Sequence, residues 1–232
     1  MCSCSAENRF DCIVTGGGHA GSEAAVALAR LGLRVLLVSG NVDRLGYLSC
    51  NPAIGGLAKG HIVREIDALG GAMGLNTDAT AIQFRMLNAS KGPSVRAPRA
   101  QCDKTAYRAR MKMVLETAPG IRLFQGDVVK LLVNGEQQVT GAVTSLDYTI
   151  CARSVVICSG TFMQGLLHVG LQHITGGRMG CAPSSPRLAF KWNGLKRALP
   201  RASMEDPLTF PFVKCSPETR RRLCSVTVPA TY

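Results

Sequence analysis

The sequence is short of acid. Fifteen Asp and Glu stand against 27 Lys and Arg in 232 residues, leaving a net charge of +12 with the four histidines neutral. That imbalance points to a polyanionic partner, because neutralising phosphates releases their counterions. Basic mitochondrial enzymes share it, so charge alone does not choose between the two. No apolar run approaches the roughly 20 residues that span a bilayer, which excludes a membrane-crossing helix and predicts no membrane span. No CxxC occurs and no histidine lies at zinc-ligand spacing from a cysteine pair, so no metal site is expected. Internal repeats are absent too. Met1–Asn8 is too short and too poor in arginine for a secretory or transit peptide.

Cysteine is plentiful, with ten in the chain, at 2, 4, 12, 50, 102, 151, 158, 181, 215 and 224. Without a pairing pattern they read as unpaired thiols in a reducing compartment. Cys12 and Cys158 fall in predicted buried strands, where cysteine behaves as a small hydrophobe. Cys2 and Cys4 read as part of a disordered terminus.

The richest stretch is Phe10–Gly21, FDCIVTGGGHAG. Asp11–Thr15 reads as a short buried strand. Gly16, Gly18 and Gly21 supply G-x-G-x-x-G, and an Ala-rich helical run, Ala20–Leu31, follows at once. Val35–Val38 comes at the spacing of the second strand of a βαβ unit. In that context the first glycine permits a tight turn and the second lets backbone approach a pyrophosphate. The third lets helix pack on strand, and the helix N-terminus offers free N–H groups to phosphate. An acidic residue after the second strand, which would bind a ribose hydroxyl, is missing. Ser39, Gly40 and Asn41 stand there, and Ser39 or Asn41 is the neutral substitute. The motif leaves FAD and NAD both open.

Farther along, Ser49–Gly60 is glycine-rich and loop-like. A helix follows with Ile62, Ile66 and Leu69 on one face, stopped by Gly70 and Gly71. Thr77–Pro98 reads as loop-rich, with basic residues Arg85, Lys91, Arg96 and Arg99, and a long helix is expected over Arg99–Ala118, ended by Pro119 and Gly120. Ile121–Val133 reads as strand, Asn134–Gly135 as a hairpin turn and Val139–Ser145 as its partner. Arg153–Cys158 is a further buried strand. A β-meander followed by a strand returning to the parallel sheet is the usual order in two-dinucleotide-binding-domain flavoproteins. The expected fold is therefore α/β, with a Rossmann-like dinucleotide-binding domain first. From about Gly176 the pattern decays, and the stretch that follows reads as the start of a second domain or as poorly ordered.

Four segments agree in order and spacing with one family: GGGHAGSEAA (Gly16–Ala25), LSCNPAIGGLAKGHIVREIDALGGAMG (Leu48–Gly74), IQFRMLNASKGPSVRAPRAQCD (Ile82–Asp103) and GLQHITGGRMG (Gly170–Gly180). Over about residues 9–182 the chain closely resembles the MnmG, or GidA, family, the FAD-dependent subunit of the tRNA wobble-uridine modification enzyme. The resemblance implies a Rossmann-like FAD-binding domain over residues 1–182, with residues 183–232 the divergent start of an inserted NADH-binding domain or a disordered tail. It implies FAD held by Gly16, Gly17, Gly18, His19, Ala20 and Gly21, with the Val128 backbone at the adenine end and Thr175 near the flavin. It implies NADH as reductant, methylenetetrahydrofolate as one-carbon donor, and glycine, ammonium or taurine as amine. It further implies a MnmE-type GTPase and tRNA as partners, a homodimer, and either a mitochondrial or a bacterial cytoplasmic setting, with the mitochondrion favoured.

Cys50 aligns with a proposed family nucleophile or acid/base. A thiolate adding to C6 of uridine makes C5 nucleophilic, and Lys59 and Arg64 close by in sequence would favour the thiolate. The competing reading is a loop cysteine packed beside the flavin. Lys91, Arg96 and Arg99 form a basic loop, SKGPSVRAPR, suited to tRNA phosphates or to the flavin pyrophosphate, and alternatively a solvated basic face. His19 and His61 read as structural, and His168 and His173 have no identifiable partner. The chain departs from the family after residue 182. Pro186–Arg201 is a degraded match to the GRLKTGTPPR-type segment, and Arg220–Val228 only faintly resembles the segment with the second important cysteine, here Cys224. The chain therefore reads as a truncated enzyme. A non-catalytic fragment with partial nucleotide binding, or the related folate- and FAD-dependent tRNA uridine methyltransferase, are the alternatives.

Overall fold

The computed structural model describes residues 6–163 and 165–181. β1 (Arg9–Thr15), α1 (His19–Arg30) and β2 (Val35–Ser39) form the βαβ unit that the sequence predicts. β1 pairs in parallel with β2 on one side and with β9 (Thr149–Ile157) on the other. β6 (Ile121–Gln125) adds to β2, also in parallel. Val35, Leu36, Leu37 and Val38 are all buried, as a strand covered on both faces requires.

β7 (Val128–Val133), β8 (Val139–Thr144) and the start of β9 form the expected antiparallel meander. At its hairpin turn Asn134 Oδ1 accepts from the N–H groups of Glu136 and Gln138. The expected single strand Ile121–Val133 is corrected to two, broken at Gly126 and Asp127. The strand order is β6-β2-β1-β9-β8-β7, so these two residues join strands at opposite ends of the sheet. A two-residue link cannot cross four strands spaced about 4.8 Å apart. The meander must therefore fold back over one face of the parallel strands. The packing agrees: Ile13, Leu36 and Val38 cluster with Val128, Ala142 and Ile150. Cys12, Val14, Val35 and Leu37 point to the opposite face, against Ala25 of α1 and Tyr107, Met111 and Leu115 of α4 (Lys104–Thr117). The core thus has three layers, with helices, parallel sheet and meander in sequence.

A second sheet is smaller. β3 (Ala53–Gly55), β5 (Ala97–Cys102) and β4 (Ala81–Leu87) pair antiparallel in the order β3-β5-β4. α2 (Lys59–Ala68) and α3 (Ala72–Thr80) precede β4. Gly70, at φ +84°, ends α2: its N–H donates to Asp67 O, and Gly71 N–H to Ile66 O. The Glu23 carboxylate of α1 accepts from Ala72 and Met73 N–H at the start of α3, which ties the two sequence-distant helices together. Two expectations are corrected here. Thr77–Pro98 is not loop throughout, since it holds the end of α3 and all of β4. The long helix begins at Lys104, because Arg99 belongs to β5 and Asp103 is the cap, its Oδ1 accepting from Thr105 and Ala106 N–H at 2.8 Å.

A hairpin of β10 (Leu166–Val169) and β11 (Gln172–Thr175) follows β9. Cys12, Cys50, Cys102, Cys158 and Cys181 are free thiols. Cys151 is disulfide-bonded, which corrects the expectation of unpaired thiols throughout. Cys2, Cys4, Cys215 and Cys224, the Pro186–Arg201 segment and the region assigned to a second domain lie outside the described residues.

Candidate functional site

The glycine loop runs from the C-terminal end of β1 into α1. Gly16 has φ +98°, and a Cβ there would collide with the Cys158 carbonyl oxygen just beyond β9. A Cβ at Gly21 would overlap the Gly16 carbonyl oxygen, and one at Gly17 would strike Leu45 and the Ser39 side chain. Gly18 is different. Its Cβ would meet nothing within 4 Å, and both Gly18 and Ala20 are exposed. Three glycines are thus required by protein backbone and side chains, while the fourth faces open space. That open space lies before the N-terminus of α1, whose N-cap Gly18 provides no side-chain cap. The first intrahelical bond is Ser22 N–H to Gly18 O. The helix therefore presents unpaired N–H groups and its positive dipole end through the gap, and no acidic residue lies in its first turn. The cradle fits a pyrophosphate.

The walls of the loop come from three other elements. Gly16 N–H donates to Val38 O and Gly46 N–H to Gly17 O, which fixes the turn on β2 and on the segment after it. His19 lies mostly buried with its ring tilted over Tyr107, centroids 5.8 Å apart. Burial, and then the nearby Lys59 charge, lower its pKa to about 4. His19 is therefore neutral at physiological pH and adds no charge for a phosphate. Lys59, at the start of α2, is a cation close enough to the loop to act on His19. Ser39 closes β2 with its side chain beside Gly17 and its hydroxyl 3.2 Å from Asn41 O. Asn41 Oδ1 is committed to the Asp43 N–H at 2.8 Å, whereas the Ser39 side chain stands beside Gly17 of the glycine loop.

The other named residues are spread out. Val128 is buried at the start of β7. It follows Asp127, whose carboxylate oxygen lies 3.2 Å from where a Cβ at Gly40 would stand. Cys50 is exposed and free in the segment before β3. It lies four positions after Gly46, which holds it within about 14 Å of that residue by chain length alone. Thr175 is exposed at the end of β11, on the hairpin. That hairpin is anchored next to the loop: Arg178 stacks on Tyr47 at 4.7 Å, Thr161 Oγ1 donates to Gly177 O, and Arg44 contacts Cys181.

Lys91 and Arg96 are exposed on the turn between β4 and β5, and Arg96 Nε donates to Lys91 O at 3.3 Å. Arg99 lies on β5 directly opposite Arg85 of β4. Cross-strand partners point to the same side, so two like charges sit side by side, an arrangement that is costly without an anion. The sequence places Arg85 among the basic residues of the same stretch as Lys91, Arg96 and Arg99, but its position directly beside Arg99 comes only from the strand pairing. Sequence reading missed Asp127 for a similar reason: the break between β6 and β7 was not read. Among the described residues no cluster of His, Cys, Asp or Glu is arranged to hold a metal ion.

A parallel sheet carrying a glycine loop, an open helix N-terminus and a meander folded across its back defines a nucleotide-binding protein of the Rossmann class, as found in flavoproteins. The family profile described as Glucose inhibited division protein A matches residues 11–199, and the chain belongs to that GidA family. It is 48% identical over 214 residues to the tRNA uridine 5-carboxymethylaminomethyl modification enzyme MnmG of Chlamydia trachomatis, which covers 90% of this chain and 35% of that protein. Among solved structures, GidA of Aquifex aeolicus superposes with a TM-score of 0.75 at 47% identity, over 79% of this chain and 30% of its own. A GidA-related protein from Thermus thermophilus shares the fold at 23% identity and a TM-score of 0.55, covering 77% of this chain and 65% of its own. The chain thus spans about a third of the length of the MnmG relative it matches. Among the described residues no helix is long and apolar enough to cross a membrane.

Proposed function

We propose that this chain is the FAD-binding portion of a flavoprotein that modifies tRNA, installing a carboxymethylaminomethyl-type group at C5 of the wobble uridine. The observation that carries this is the open glycine cradle before the uncapped start of α1, in a chain 48% identical to MnmG over 90% of its length. FAD, when bound, supplies the two-electron redox chemistry. The N–H groups at Gly18–Gly21 hold its pyrophosphate, with Lys59 adding charge. Ser39 and the Val128 backbone border the ribose and adenine end. Thr175 is assigned to the flavin side by the family resemblance, as is Cys50 to attack on uridine C6. Exposure of Cys50 as a free thiol is compatible with reaching a bulky substrate.

NADH, methylenetetrahydrofolate, a MnmE-type GTPase and a homodimer belong to the same proposal through the family. Lys91, Arg96 and Arg99, joined by Arg85, are the proposed contact for tRNA phosphates, and the cross-strand arginine pair supports an anion there. The bacterial source of the relatives supports a cytoplasmic setting over a mitochondrial one. A second reading is a chain that keeps nucleotide binding without catalysis.

The test is an absorbance spectrum of the purified chain after incubation with FAD and desalting. A flavin band near one per chain is expected, and bleaching by NADH would then favour the catalytic reading over the second. A flavin-free spectrum would overturn the cofactor assignment for this chain.

A further inference from the structure

We propose that Asp127 supplies the carboxylate for the ribose hydroxyls of the bound adenine nucleotide, in place of the acid that the end of β2 lacks. The inference rests on the FAD reading above. In a βαβ nucleotide site the ribose lies at the C-terminal end of the second strand, where an acidic side chain accepts from its hydroxyls. Here that strand ends in Ser39–Gly40–Asn41, and no carboxylate stands in those three positions.

The break between β6 and β7 brings one from elsewhere. Gly126 N–H donates to Ser39 O at 2.9 Å, which presses the break against the end of β2. Asp127 follows, and its Oδ1 occupies the space beside Gly40, 3.2 Å from a Cβ at that position. A larger side chain at residue 40 would have to displace it. Asp127 N-terminally adjoins Val128, assigned to the adenine end, so the carboxylate lies between the β2 terminus and that position in the fold. Ser145 N–H donates to the Asp127 backbone oxygen at 2.8 Å and fixes the peptide, while the carboxylate has no hydrogen-bond or ion-pair partner among the described residues.

Asp127 is half-buried, and its pKa is raised by desolvation. A half-buried carboxylate without donors is unfavourable, and two vicinal hydroxyls supply the missing donors. The same carboxylate would repel a phosphate on the ribose 2′ position, so the site is built for an unphosphorylated ribose.

The experiment titrates the whole chain, wild type and D127N, with FAD, with ADP and with 2′,3′-dideoxy-ADP. FAD binding is followed by flavin fluorescence and ADP binding by calorimetry. The wild type is expected to bind ADP about tenfold or more tightly than its dideoxy analogue, as loss of hydrogen bonds to a charged group implies. D127N is expected to weaken FAD by a similar factor and to abolish the preference for ADP. Equal wild-type affinity for ADP and dideoxy-ADP overturns the inference with no variant involved. So does D127N with unchanged FAD affinity, and in both cases the FAD reading survives. A wild-type chain that binds neither FAD nor ADP overturns both together.

Discussion

The two sheets of this molecule are built to different standards of closure. In the parallel sheet, Ile13, Val14, Val35 and Leu37 are completely buried, with helices on one face and the meander on the other. In the three-stranded sheet, β4 shows Ile82 at 71%, Phe84 at 63% and Met86 at 49% exposure. The first region owes its shape to contacts within the described residues. The outward face of the second owes them almost nothing. The lesson is that the nucleotide cradle is held by internal packing, while the face of β4 is free to be changed at little cost to the fold.

That contrast can be broken most sharply at the glycine loop itself. Gly21→Ala drives a methyl into the Gly16 carbonyl. It should destabilise the chain by about 3 kcal/mol, the upper range for overpacking, and abolish FAD binding. Gly18→Ala places its methyl in open space. Urea denaturation should find its stability within about 0.5 kcal/mol of wild type, while a fluorescence titration finds FAD weakened. Equal stability for the two variants would mean that the loop is not packed as described.

A smaller effect separates the regions by pH. His19 in the folded cradle has a pKa of about 4, against an ordinary 6.5. The unfolded chain therefore binds the extra proton first. The stability it confers is full above pH 6.5 and is lost progressively as pH falls toward 4. Between pH 7 and pH 5 the loss should be about 2 kcal/mol, measured by urea unfolding at both values. His19→Gln should flatten that dependence; an unchanged slope would assign the acid sensitivity to other groups. Smallest of all, Phe84→Thr on β4 should shift stability by no more than about 0.5 kcal/mol. A cost near the 2–5 kcal/mol expected of a core truncation such as Ile13→Ala would show that the face of β4 is covered in solution.

Legibility in the sequence followed the same division. The βαβ unit could be read because its signals are local: a continuous apolar strand, three spaced glycines and an alanine-rich helix. The hairpin at Asn134–Gly135 was readable for the same reason. β4 carried an alternation of Ile82, Phe84 and Met86 with Gln83 and Arg85, but its glycine- and proline-rich surroundings suggested loop. β5 was hidden by Pro98, and the true start of α4 by attention to that proline rather than to the Asp103 cap. Within the site, the glycines and Ser39 could be named from position alone. Asp127 could not, nor could the pairing of Arg85 with Arg99, because each depends on a neighbour that only the fold supplies.

The pairing of β1 with β9 has a consequence in time. The strand that carries the glycine loop meets its second neighbour about 140 residues later in the chain, and Gly16 is sealed by a carbonyl at Cys158. At about 5–20 residues per second of synthesis, the nascent loop waits on the order of ten seconds or more with one edge of its strand unpaired. Throughout that interval the first βαβ unit is a partner-seeking edge, exposed to the capture by other strands that a completed sheet prevents.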